Sequence, residues 1–172
     1  DGSRIAFYSY ATNLVVADTN GISDVFVKTL STGAIQRVST DASGAQANGD
    51  LYGYWGSGSA RWSPDGSRIA FLSSSDSLVS GDTNKSYDVF VKTLSTGAIQ
   101  RVSTDTSGAQ AVGGSGSPTW SPDGTKIAFT SDSSNLVAGD TNGLSDAFVK
   151  TLDTGAIQRI STDSSDAQAD GP

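Results

Sequence analysis

At 172 residues the chain has the length of one ordinary domain, and its apolar residues fall in short runs, none near the roughly 18 needed to span a membrane. The formal charge of −7 argues against nucleic acid, which is bound through clustered Lys and Arg, and against docking on anionic membranes. Cys and His are both absent, which removes disulfides, thiolate metal sites and the commonest general base and zinc ligand. Every acidic residue is Asp, a residue suited to turns and to calcium rather than to helix surfaces.

The chain opens at Asp1-Gly2-Ser3-Arg4, inside a motif that recurs further on, with neither an initiating Met nor a signal pattern. It is expected to be a processed product or part of something longer. Near-identical stretches then begin at Ser23 (SDVFVKTLSTGAIQRVSTDASGAQA), at Tyr87 and at Ser145, so one unit is present in three copies. The expected units are residues 1–59, 60–117 and 118–172. The first of these lacks a first strand and carries an insertion at about 50–56, since Gln46 stands further from Trp62 than Gln110 does from Trp120.

Each unit predicts four strands and no helix. The first carries a Trp, in SARWS and SPTWS. The turn Ser63–Gly66, repeated at Ser121–Gly124, has Pro to preset φ, then Asp, then Gly. The second strand is SRIAFLS or TKIAFTS. A longer loop ending in Asp-Thr-Asn leads to the third, DVFVKTL, and a Thr-Gly turn leads to the fourth, AIQRVST. A repeated four-stranded unit of this size is a β-propeller blade, so the predicted class is all-β, a β-propeller of four-stranded antiparallel blades with three repeats present.

The tandem WSPDGSRIAF (62–71) and WSPDGTKIAF (120–129) resemble the TolB-like, WD40-like (PD40) propeller repeats of bacterial proteins. The resemblance covers nearly the whole chain. It implies a propeller, usually six- to eight-bladed, in a periplasmic or extracellular setting, and by itself it implies no function. Three blades do not close a ring. Two copies could pair into a six-bladed ring, these residues could be half of a longer chain, or the blades could form an open array or filament. The missing first strand argues for the longer chain, because a dimer would lack two inner strands.

The loop before the third strand is the first candidate site. Asp18, Asn20 and Asp24, then Asp82, Asn84 and Asp88, then Asp140, Asn142 and Asp146 place oxygens at positions one, three and seven, a spacing able to hold calcium. The same residues suit an Asx-turn, in which Asp and Asn cap backbone amides and Gly21 or Gly143 bends the chain. Lys85 stands where the other copies have Gly and makes the second loop the doubtful one. The second candidate is the inserted segment: Tyr52, Tyr54 and Trp55 suit contact with a protein or glycan partner, or a small core of their own. Trp62 and Trp120 recur at one position and are expected to pack between blades.

Catalysis is not expected. A Ser-His-Asp triad needs His, and a sialidase-type site needs a Glu to support its Tyr nucleophile. Glycosidases need two carboxylates in unlike environments, whereas these Asp residues repeat in equivalent ones. The expected function is a non-catalytic binding or scaffold propeller of the cell envelope or extracellular space. The alternatives are a structural subunit completed by other chains and an accessory propeller of a larger secreted enzyme.

Overall fold

The structure, a computed structural model, describes residues 2–49 and 56–171. Among them no helix occurs, and the strands form three antiparallel sheets. The first sheet is β1 (Arg4–Ser9), β2 (Asp24–Thr29) and β3 (Ile35–Arg37). The second is β4 (Ser57–Trp62), β5 (Arg68–Ser73), β6 (Asp88–Thr93) and β7 (Ile99–Arg101). The third is β8 (Ser115–Trp120), β9 (Lys126–Ser131), β10 (Asp146–Thr151) and β11 (Ile157–Arg159). Each sheet is a meander in chain order, and the equivalent second and third strands pair in the same register, Phe7 opposite Phe26, Phe71 opposite Phe90 and Phe129 opposite Phe148.

The turn before each second strand is built by its Asp. Ser63 Oγ and the amide and hydroxyl of Ser67 all donate to the Asp65 carboxylate, while Gly66 takes a φ of 67° that an L side chain resists. Asp123 holds the copy at Ser121–Gly124 in the same way. The first strands are less regular. Pairing slips between Gly58 and Arg61 and again between Gly116 and Thr119, and Ser59 and Ser117 sit at positive φ in these bulges. The bulge breaks the alternation that marks a strand. The second and third sheets accordingly begin at Ser57 and Ser115, ahead of the boundaries expected at 60 and 118.

The core lies between the sheets. Val25, Val27, Val38 and Ala47 of the first sheet and its loops meet Ile69, Phe71, Leu78 and Phe90 of the second. Val89, Val91, Val102 and Ala111 then meet Ile127, Phe129, Leu136 and Phe148 of the third. A blade between two neighbours buries both faces, which is why the third strand reads as a continuous Val-Phe-Val run rather than an alternating one. Trp62 and Trp120 do pack between sheets: the guanidinium of Arg4 lies 4.7 Å from the Trp62 ring centre and that of Arg68 4.7 Å from the Trp120 ring centre. Each Arg also donates to the turn of the following sheet, Arg4 Nη2 to the Gly66 carbonyl at 2.7 Å and Arg68 Nη2 to that of Gly124 at 2.6 Å.

The lysines of the third strands bind backbone rather than solvent. Lys92 Nζ donates to the carbonyls of Thr40 (2.8 Å) and Asp41 (2.7 Å) in the preceding sheet's last loop, and Lys150 Nζ to those of Thr104 and Asp105, both at 2.8 Å. Both side chains are buried. Every junction is thus a Val-lined face against a Phe-lined face, clasped at one end by Arg on Trp and elsewhere by Lys on two carbonyls.

Candidate functional site

The Asp-Thr-Asn loops close over the outer end of each sheet, where their carboxylates meet groups that the sequence does not mark as partners. Gln46 Nε2 donates to Asp18 Oδ1 at 3.0 Å and to Asp24 Oδ2 at 3.1 Å, while its own oxygen accepts from the amide and hydroxyl of Thr19. Arg37 reaches the same two carboxylates at 3.6 and 3.7 Å, and Ser39 Oγ donates to Asp24. Asn20 turns its nitrogen to Asp24 and to the Ala47 carbonyl, and its oxygen accepts from the Ile22 amide. That last bond is the Asx-turn of the sequence reading.

The other two loops repeat the cluster. Gln110 bridges Asp82 and Asp88, with Arg101 at 3.2 and 3.9 Å, Ser103 on Asp88, and Asn84 on the Ala111 carbonyl. Gln168 bridges Asp140 and Asp146, with Arg159 at 3.7 and 3.9 Å, Ser161 on Asp146, and Asn142 on the Ala169 carbonyl. Lys85 takes a φ of 55° and makes the same bend as Gly21 and Gly143, so the second loop keeps its shape. The structure therefore brings all nine predicted loop residues to their clusters. It also places a guanidinium at each carboxylate pair, and among the described residues no third acidic ligand joins one. Calcium asks for six to eight oxygens, and here the nearest ones already accept from Gln and Ser and face an Arg guanidinium as an ion pair.

Charge in the second cluster responds to burial. Burial pushes the Asp88 carboxyl up to about 6 against the hydrogen bonds of Ser103 and Gln110, and it raises Asp82 as well. The exposed turn carboxylates move the other way: Ser43 holds Asp41 below the usual range, Ser63 holds Asp65, Ser107 holds Asp105, Ser121 holds Asp123 and Ser165 holds Asp163. A carboxyl raised in the native state binds its proton more tightly there, so the stability it contributes is complete below the unfolded value of 3.8 and is lost as pH rises through about 6. The turn carboxylates lose theirs as pH falls below about 4. Melting temperature is therefore expected to be highest near pH 4 and to decline toward pH 7. In Asp88→Asn that decline is shallower, which melting curves across the range would measure.

A second feature appears where the copies differ. Tyr8, Tyr10 and Tyr87 line a cleft of about 220 Å³ between β1 and the start of β4, closed by Ser23, Leu72 and the segment Gly56–Ser59. Tyr8 and Tyr10 are exposed. In the other copies Tyr8 is replaced by Leu72 and Thr130, Tyr10 by Ser74 and Asp132, and Tyr87 by Ser23 and Ser145. The chain's other two tyrosines, Tyr52 and Tyr54, and Trp55 lie outside the described residues. In sequence they directly precede Gly56, which borders the cleft. Comparing the copies position by position is the signal that finds Tyr8, Tyr10 and Tyr87. The repeat motif alone passes over them.

Solved structures share this arrangement of sheets. TolB from Acinetobacter baumannii aligns over 92% of this chain and 30% of its own, at 21% identity and a TM-score of 0.55. The fold is that of a TolB-like β-propeller. The β-propeller domain of the Trilobed protease from Pyrococcus furiosus aligns over 91% of this chain and 38% of its own, at 14% identity and a TM-score of 0.53. The acylaminoacyl peptidase of Pyrococcus horikoshii aligns over 92% of this chain and 23% of its own, at 14% identity and a TM-score of 0.51. The chain thus spans well under half the length of each of these propeller proteins, and at such identities the likeness is one of fold. No family profile and no curated protein sequence matches the chain. Within the propeller the three Asp–Gln–Arg clusters occupy equivalent places in each blade, and the tyrosine cleft occupies one place.

Proposed function

We propose that the chain is a non-catalytic binding or scaffold propeller of the cell envelope or extracellular space, and that it takes a protein or glycan partner at the Tyr8–Tyr10–Tyr87 cleft. The observation that carries this reading is a division of labour among the side chains. Repeated polar residues are consumed in holding blades, each carboxylate pair facing its own Arg and Gln. The tyrosines do not repeat, and they gather in one cleft. Tyrosine combines a large apolar face with a hydroxyl at low entropic cost, which suits both a sugar ring and a protein hot spot. The clusters are framework and take no calcium. The resemblance to TolB-like propellers supports the envelope setting.

A second reading, an accessory propeller of a larger secreted enzyme, is supported by the likeness to an acylaminoacyl peptidase of which these blades match 23%. Catalytic groups would then lie in another part of that protein, and the cleft would serve binding in either case.

The test replaces Tyr8 and Tyr10 with residues that other copies already tolerate, Tyr8→Thr and Tyr10→Ser. Wild-type and double variant are compared on a glycan array and by cross-linking to envelope proteins, with melting curves to confirm equal folding. The expected result is capture by wild-type and at least about a tenfold loss in the variant, the scale of one hot-spot residue. Equal capture by both, or capture by neither, contradicts the reading.

A further inference from the structure

Just ahead of the Asp-Thr-Asn motif the first loop departs from the other two at adjoining positions. Val16 stands where the other copies have Ser80 and Ala138. Ser80 is exposed although its blade has a neighbour on each side, so the exposure of Val16, at 94%, belongs to the position itself. Ala17 follows at a φ of 58°, the left-handed region that Gly81 and Gly139 occupy freely and an Ala side chain resists. In the other copies the carbonyl of that glycine is engaged: Arg101 Nη2 donates to Gly81 at 3.1 Å and Arg159 Nη2 to Gly139 at 3.4 Å. In the first copy, among the described residues, Arg37 donates no hydrogen bond and the Ala17 carbonyl accepts none. Arg37 meets Asp18 and Asp24 as ion pairs alone.

These departures border one groove. A space of about 650 Å³ lies where the first and second blades meet, and Val15, Val16, Ala17, Arg37, Ala45 and Leu94 are among the residues that line it. All of its walls come from these two blades and the junction they share. No acidic side chain lines it, and its one ammonium, Lys92, is already bound to the carbonyls of Thr40 and Asp41. The volume falls in the roughly 300–1,000 Å³ range of ligand sites, and aliphatic walls with a few polar groups are their usual make-up. The tyrosine cleft shares none of these lining residues.

We propose that this groove binds an extended peptide segment of a partner protein, through a branched aliphatic side chain and the peptide group beside it. The side chain covers Val15, Val16 and Leu94, and its burial supplies the affinity. The peptide carbonyl accepts from Arg37, and the peptide N–H donates to the Ala17 carbonyl. This donor and acceptor select the occupant, because a peptide group complements both, whereas an acyl chain or a plain aromatic ring leaves both unsatisfied. A sugar would match the polar pair but lay its hydroxyls against Val15, Val16 and Leu94. Strain of the kind held at Ala17 gathers where ligands are clamped. The inference is independent of the binding role of the tyrosine cleft.

The test titrates the isotope-labelled 172-residue chain with N-acetyl-leucine N′-methylamide, one branched side chain between two peptide groups, and follows amide and methyl signals by NMR. A Kd of about one millimolar is expected for so small a ligand, with saturable shifts at Val15, Val16, Arg37 and Leu94. N-acetylglycine N′-methylamide, which lacks the side chain, should bind at least about tenfold more weakly. Val16→Ser with Ala17→Gly installs the residues of the second copy, so it should fold, and relief of the left-handed Ala should leave its melting temperature equal or higher. It should bind the leucine amide at least about tenfold more weakly, because Arg37 then closes on the residue-17 carbonyl as Arg101 does on Gly81. Tyr8→Thr with Tyr10→Ser should bind it as the wild type does, which separates this site from the cleft. No saturable shift by about ten millimolar, equal binding of the two amides, undiminished binding by the Ser-Gly variant, or shifts centred on Tyr8, Tyr10 and Tyr87 would overturn the proposal.

Discussion

Lys150→Ala is expected to lower the stability of the chain by about 3 kcal/mol, and Lys92→Ala by a similar amount, the range for removing a charged donor from buried acceptors. Each ammonium is buried at a junction and donates to two carbonyls of the preceding blade. Truncation leaves the carbonyls of Thr104 and Asp105, or of Thr40 and Asp41, without their partner and opens a void where the four-carbon stem lay. Burial lowers the pKa of both lysines, and the closeness of Asp105 and Asp41 partly offsets this. Lys28→Ala provides the control, because among the described residues no sheet lies on its side of the first blade. In the 172-residue chain it should change stability by less than about 0.5 kcal/mol, as surface substitutions usually do. Denaturant melts of the three variants measure the contrast, and equal effects at all three positions would mean that the clasp contributes nothing.

Gly56→Ala should be comparably damaging, although the residue lies at the edge of a loop. A Cβ there would come within 2.3 Å of the Ser23 carbonyl oxygen and 2.7 Å of the Ser23 amide nitrogen, backbone atoms that cannot swing aside. The strand start is held at this point by the Ser57 amide, which donates to that same carbonyl at 2.8 Å. Overpacking against backbone costs about 3 kcal/mol or forces β4 away from the first blade. Gly114 occupies the equivalent place in the next unit, yet a Cβ on it meets only a carboxylate oxygen of Asp132, at 3.9 Å. Gly114→Ala should therefore be neutral within about 0.5 kcal/mol. Because Gly56 also borders the tyrosine cleft, Gly56→Ala should weaken partner capture, whereas Gly114→Ala should not.

Much of the architecture could be read from local chemistry. The Pro-Asp-Gly turn, the Thr-Gly turn and the alternation of SRIAF each dictate a backbone shape within a few residues, and the strands fall where those signals stand. The starts of β4 and β8 could not be read in the same way, because a bulge at Ser59 and Ser117 removes the alternation. Lys92 and Lys150 were also opaque. Their partners are backbone carbonyls of another blade, which leave no complementary side chain in the sequence.

The loop clusters were legible as to members but not as to chemistry. Asp18, Asn20 and Asp24 announce an oxygen-rich turn, and their spacing serves a metal or an Asx-turn equally well. What distinguishes the two is Arg37 from the end of β3 and Gln46 from the loop beyond it, brought in by the sheet. The tyrosine cleft needed both the repeat and the fold: the repeat shows that Tyr8, Tyr10 and Tyr87 are departures, and the fold shows that the departures meet.

The measurement that bears most directly on this division between framework and binding surface is the melting temperature of the chain in calcium and in a chelator. If Arg37, Arg101 and Arg159 already neutralise the carboxylate pairs, the two curves should coincide within about one degree, well below the 2–4 °C that 1 kcal/mol shifts a domain of this size. A melting point that rises by several degrees with calcium and falls with chelation would show the loops to be metal sites, and would contradict the reading of the clusters as self-contained framework.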